Sequence, residues 1–343
     1  MIRFDSDYTE GCHPKILEAL AATNMEQHPG YGADAHCARA AALIRSACEA
    51  PDADVHFLTG GTQANTVVIA AALRPWEGVL SAESGHIACH ETGAVEAAGH
   101  KVLTLPHHDG KLDVSELRAA ISAARCDPNA EHIVQPGMVY VSQPTEFGTL
   151  YTRAELEAVS AVCREAGLPL YLDGARLGCA LAAVPELTLP DYARLCDVFT
   201  IGGTKLGCLF GEAAVICADA LKPCFRNVMK QRGGMLAKGR LLGVQFETMF
   251  TDGLYLTCGR HAVDAARRIK AALLEKGLPM PLDSPTNQLF VELTRAQRAA
   301  LERDFALGVW DTTGGETDVL RICTSWATTE EETDALIEAI RAL

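Results

Sequence analysis

The feature that most constrains this chain is an alternation of short apolar runs with longer amphipathic ones, sustained from about residue 40 to residue 218. DVHFL, GVLSAE, KVLTLP, IVQPGMVYVSQP, LPLYLDGA, CDVFTIGG and FGEAAVICA read as strands. AHCARAAALIRSACEA, TQANTVVIAAALRP, HIACHETGAVEAAG and TRAELEAVSAVCREAG read as helices, the second stopped by Pro75 and the third by Gly99. Strands joined through helices of this length need right-handed crossovers. The chain therefore predicts an α/β fold, with a mostly parallel central sheet and helices on both faces.

Beyond about residue 250 the pattern changes. NQLFVEL, the helical RAQRAALERDFA, LGVW and VLRICTSW predict a smaller C-terminal α+β domain. A last helix closes it, with Thr328 and Glu331 at capping-box spacing. The basic, amphipathic segment from Arg240 to Lys276 bridges the two parts. We set the large domain at residues 1–245 and the small one at 246–343, with a ligand cleft between them.

Composition narrows the function classes. Lys and Arg number 30 against 44 Asp and Glu, a net charge of −14 that is poorly suited to gripping phosphate backbones, so nucleic acid is not an expected partner. The longest unbroken apolar run, Val67 to Leu73, is far short of the roughly 20 residues that span a bilayer. The opening MIRFDSDYTEGCHP has no apolar signal-peptide core. Thirteen cysteines are an odd number without a CxxC pair, and Cys163, Cys179, Cys217 and Cys323 sit in apolar stretches. They read as reduced thiols of a cytoplasmic protein.

In an open α/β sheet, chemistry collects at the carboxyl ends of the strands. LPLYLDGAR ends there in Asp173, with Arg176 one turn on, and CDVFTIGGTKLG ends in Lys205, one strand–helix–strand unit later. A lysine behind a buried strand loses solvation of its ammonium form and becomes a better nucleophile. Such a lysine facing a carboxylate is what pyridoxal phosphate requires: the amine forms a Schiff base and the carboxylate keeps the pyridine nitrogen protonated. A phosphate cradle follows the first strand, where Gly60, Gly61 and Thr62 open directly into a helix with free N–H groups. No GxGxxG unit occurs, which counts against a nicotinamide-dependent oxidoreductase. His86 starts the next helical segment at the same sheet edge, placed to stack on a cofactor ring or exchange a proton. With His90, Glu91 and the distant His107–His108 it does not complete a metal-ligand set, so no metal is expected.

With these residues assembled, the chain resembles the threonine aldolases among the fold-type-I pyridoxal phosphate enzymes over nearly its whole length. GGTQAN resembles the family's phosphate loop, implying Gly61 and Thr62 as phosphate ligands, and GHIACHETGA the segment whose first His, here His86, stacks on the ring. LDGARLG resembles the stretch giving the pyridine-nitrogen carboxylate and nearby arginine, here Asp173 and Arg176, and TKLG that of the Schiff-base lysine, here Lys205. RFDSD implies Ser6 near the substrate, GYGAD implies Tyr31, and DVLRICTSW implies Arg321 as the grip on the substrate carboxylate. His90 stands where the family often has an aromatic residue, and Ser142 to Glu146 where it often has a His. The resemblance implies retro-aldol cleavage of a β-hydroxy-α-amino acid, of the threonine, allo-threonine or phenylserine type, to glycine and an aldehyde. His86 is the first candidate for the proton step, and a homodimer or homotetramer is implied. Another fold-type-I enzyme, a β-eliminating lyase or an aminotransferase acting on a small amino acid, would share the same core.

Overall fold

The computed structural model describes residues 1–312 and 315–343. Among them, seven strands form the central sheet: β1 (Asp54–Leu58), β2 (Glu77–Ala82), β3 (Lys101–Leu105), β4 (Gln135–Ser142), β5 (Leu170–Asp173), β6 (Val198–Gly202) and β7 (Glu212–Ile216). Their spatial order is β1-β7-β6-β5-β4-β2-β3. β2 to β6 pair in parallel, whereas β7 runs antiparallel to both β6 and β1. The link from β6 to β7 is too short for a crossover helix, so the chain can only turn back on itself there.

Both sheet faces are covered, which explains the near-continuous apolar strands. Along β4, Met138 and Tyr140 join one core with Val79, Tyr171 and the helix Gly61–Ala72. Val139 and Val141 join the other, with Leu172, Phe199, Ile201 and the helix Arg153–Ala166. That helix begins in a capping box between Thr152 and Glu155 and ends at Gly167 with φ 63°. The crossover between β3 and β4 contains the helix Val114–Cys126, which the apolar pattern did not disclose; its signal is Asp113, whose carboxylate accepts from the backbone N–H groups of Ser115 and Glu116.

Three expected elements differ. HIACHETGAVEAAG is broken into His86–Cys89 and Ala94–Ala97, because Thr92 and Gly93 both take left-handed backbone conformations. RAQRAALERDFA is helical only over Arg295–Leu301, after which Phe305–Ala306 pairs in parallel with Ile2–Arg3. The last helix, Glu330–Ala342, is capped by Thr329 with Glu332, one residue beyond the expected pair, because the Thr328 hydroxyl turns inward to accept from the Ser325 N–H.

A third core defines the C-terminal unit, where the strands Gln288–Thr294 and Thr317–Cys323 pack Leu289, Val291, Leu320 and Ile322 against Leu336 and Ile340. The helix Leu254–Glu275 spans both parts: Tyr255, Cys258 and Val263 pack in the large-domain core, Ile269 and Leu273 in the third. Phe4 also lies in that third core, so the first residues of the chain pack with its last quarter.

Candidate active site

The parallel strands deliver their last residues to one edge of the sheet, and the antiparallel β7 brings its first residue, Glu212, to the same edge opposite Gly202 and Leu58. A cavity of about 310 Å³ opens there, lined by Gly60, Gly61, Thr62, His86, Glu146, Asp173, Arg176, Lys205 and Glu212, among others. Of the residues singled out in the sequence, Gly61, Thr62, His86, Asp173, Arg176 and Lys205 therefore come together.

Asp173 ends β5 in a buried, fully organised position. Its Oδ2 accepts from the Tyr140 hydroxyl at 2.7 Å and from Asn65 Nδ2 at 3.0 Å, and its Oδ1 accepts from the Ala175 N–H at 3.0 Å. Asn65 is fixed in turn, since its Oδ1 accepts from the Tyr171 hydroxyl and its Nδ2 also donates to Glu91 Oε1 at 2.7 Å. Glu91 Oε1 accepts from His86 Nδ1 at 2.8 Å, so one network runs from His86 to Asp173. Burial lowers the His86 pKa, but the Glu91 hydrogen bond and the Asp173 charge outweigh it and leave the imidazole above its ordinary value.

Lys205 sits in the tight turn Thr204–Leu206 directly after β6. Burial, reinforced by the Arg176 charge, pulls its pKa down, which favours the free amine. Its Nζ lies 5.9 Å from the centre of the Tyr8 ring and has no hydrogen-bond or ion-pair partner among the described residues. Arg176 is committed elsewhere: Nε and Nη2 hold both oxygens of Asp7 at 2.5 and 2.9 Å. Burial pushes the Asp7 carboxyl up, but Arg176 and then Lys205 overcome it and hold the pKa at about 2.

The other three expected residues lie outside this lining. Ser6 is next to Asp7, with its buried hydroxyl unpartnered. Arg321, on the strand Thr317–Cys323, donates from Nη2 to the Asp5 carbonyl at 3.2 Å, and its Nε has no partner among the described residues. The segment from Asp5 to Tyr8 thus connects Arg321 to the cavity wall. Tyr31 does not approach the cavity in its own chain. It is half exposed, with Lys230 Nζ 4.2 Å from its ring centre, and its backbone N–H donates to the Ala237 carbonyl at 3.2 Å. His90 is exposed and tilts towards Trp310 across 6.5 Å.

Sequence reasoning missed Asn65, Tyr140, Glu146 and Glu212. Glu146 Oε1 accepts from the His86 N–H and the Ser142 hydroxyl, both at 2.8 Å. Burial is the main cause that raises the pKa of both Glu146 and Glu212, and Glu212 Oε2 has no partner among the described residues. Asn65 carried a signal, since it lies one helical turn behind Thr62 on the buried face of its helix. Glu146 lies in the segment from Ser142 to Glu146 singled out in the sequence, but nothing local marked it as a partner of His86, and Glu212 is placed only by the antiparallel pairing of β7.

The donor set fits pyridoxal phosphate. The helix Gly61–Ala72 presents its N-terminus to the cavity, and a Cβ at Gly60 or Gly61 would meet no atom within 4 Å, which leaves room for a phosphate. Across the cavity stand a carboxylate locked by three donors and a lysine whose amine is otherwise unengaged. Fold and site together define a fold-type-I pyridoxal phosphate enzyme.

Comparison with known proteins gives the family. The β-eliminating lyase family model matches residues 3–296, and the chain belongs to that family. Low specificity L-threonine aldolases from a Pseudomonas species and from Pseudomonas aeruginosa are 30% and 32% identical to it, each over 99% of this chain and 97% of the relative. The solved threonine aldolase of Leishmania major superimposes with a TM-score of 0.96 at 48% identity, covering 100% of this chain and 99% of that one. Aspartate aminotransferase from Thermus thermophilus, at 17% identity and a TM-score of 0.72 over 100% of this chain and 91% of its own, shares the fold alone.

Proposed function

We propose that this chain cleaves a β-hydroxy-α-amino acid of the L-threonine, L-allo-threonine or phenylserine type to glycine and an aldehyde, as a pyridoxal-phosphate-dependent carbon–carbon lyase. One observation carries the reading: Lys205, Asp173 and His86 converge on a single cavity in a chain 48% identical over its full length to a threonine aldolase.

In this reading Lys205 would hold the cofactor, Gly61 and Thr62 would hold its phosphate, and Asp173 would keep its ring nitrogen protonated. When bound, the cofactor supplies the electron sink that accepts the Cα–Cβ bonding pair. Tyr140 and Asn65 keep Asp173 from rotating, so the carboxylate need not reorganise. Glu91 holds Nδ1–H of His86, leaving Nε2 as the acceptor for the β-hydroxyl proton. Arg321, with spare donors beside Ser6, grips the substrate carboxylate. Arg176, bound to Asp7, positions the segment that carries Ser6 and Tyr8.

The exposed Tyr31 fits a homodimer or homotetramer in which it serves a neighbouring copy. Thirteen free cysteines are consistent with a cytoplasmic location. The deciding experiment incubates the purified enzyme with L-threonine and measures glycine and acetaldehyde. Stoichiometric release of both is expected, whereas a 2-keto acid in their place would move the assignment to an eliminating lyase or an aminotransferase.

A further inference from the structure

The segment before the first long helix carries a second histidine–carboxylate group that the reaction does not use. Glu26 Oε2 lies 2.7 Å from His28 Nε2 and 3.0 Å from His36 Nε2. These three donor atoms all fall within 4.8 Å of one another. Glu26 and His28 lie in the irregular stretch ahead of the helix Ala35–Ala47, and His36 stands in that helix's first turn with its side chain buried. From the neighbouring helix Arg240–Phe250, Glu247 places Oε2 2.7 Å from Nδ1 of His36. Arg39 fixes Glu247 from the other side, donating from Nε to Oε1 at 2.5 Å and from Nη2 to Oε2 at 3.3 Å.

We propose that Glu26, His28 and His36 bind one divalent transition-metal ion, with Zn²⁺ the fitting ion, and that Glu247 orients His36 as its outer carboxylate. Two imidazoles and a carboxylate suit zinc and its neighbours, whereas calcium and magnesium require oxygen donors. The two imidazole nitrogens, within 4.8 Å of each other, must close to ligand spacing. Ligand bonds of about 2.0–2.1 Å to a tetrahedral ion put neighbouring donors roughly 3.3 Å apart, so the two short contacts need open by only about half an ångström. A histidine that ligates through Nε2 while Nδ1–H is held by a carboxylate is the arrangement that fixes the ring and raises its donor strength. His28 is partly open to solvent, which leaves the fourth position to water. None of these residues lines the Lys205 cavity. The ion would pin the loop that leads to Tyr31 onto two helices of the large domain.

The test uses the full-length, cofactor-loaded enzyme without a histidine tag, its thiols alkylated because the free cysteines would compete. Titration with Zn²⁺ should show one ion per chain and a rise in melting temperature, and Ca²⁺ should not displace it. Co²⁺ should give the visible bands of a tetrahedral site without thiolate charge transfer. His28→Asn and Glu26→Gln, both at solvent-accessible side chains, should each weaken binding at least tenfold, and Glu247→Gln by about 10- to 100-fold. His86→Asn, in the other histidine group, should bind the ion as the parent does. Absence of saturable uptake, or uptake that survives both His28→Asn and Glu26→Gln, overturns the proposal.

Discussion

The two halves of the active site are built differently. On the large-domain side, Asp173, Asn65, Glu91 and His86 form one continuous hydrogen-bonded network anchored at strand ends. On the C-terminal side, Arg321 makes one side-chain hydrogen bond among the described residues, to a carbonyl, has no partner at Nε among them, and places Cζ 5.7 Å from the Trp310 ring centre. The segment from Asp5 to Tyr8 joins them, held by Arg176 on one side and by Asn287 Nδ2, 2.9 Å from Asp7, on the other. In the proposed reading, bond chemistry falls to the networked half and substrate grip to the half that holds Arg321.

The comparison can be broken most severely at Lys205. Lys205→Ala should remove the visible absorbance of the bound cofactor and lower turnover by more than about 10⁴-fold, the scale on which loss of a covalent nucleophile is felt. A spectrum like the parent's would place the covalent link elsewhere.

Asp7→Asn attacks the joint between the halves. Breaking a buried ion pair costs about 3–5 kcal/mol, read as a lower urea midpoint. The pH sign follows from the depressed folded pKa of about 2. The pair stabilises fully above the unfolded value near 3.9 and is lost as the pH falls from about 4 towards 2. The variant should lack that acid-sensitive limb.

Arg321→Ala tests the gripping half. Loss of a charged clamp should raise KM for the amino acid by about 30- to 1,000-fold while kcat changes far less. Equal loss in both parameters would show that Arg321 acts in the bond-breaking step.

Glu91→Gln is the mildest probe of the rigid half. Glu91 raises the His86 pKa, so its neutral replacement should shift the acid limb of kcat/KM to lower pH, with about a tenfold loss at the optimum. A limb that stays in place would assign it to a group other than His86.

Legibility in the sequence followed the same division. The strand ends with Asp173 and Lys205, and the glycine-opened helix at Gly61, are local features whose positions follow from alternation and turn chemistry. Glu91 was visible as a residue but not as a partner of His86, because only the left-handed pair Thr92–Gly93 breaks the helix and lets the carboxylate turn inward. Tyr31 matched a motif, yet its own chain carries it to another surface.

The layered α/β architecture and the residues that end its strands are readable from the chain alone, because apolar periodicity and helix-start chemistry act over a few neighbouring residues. Long-range packing sets the rest: β7 runs backwards and delivers Glu212, Arg176 is held by Asp7 from near the N-terminus, and Phe4 packs with the last quarter of the chain. Those pairings join residues far apart in the chain, and no local pattern encodes which distant partner a buried charge or an apolar side chain will meet.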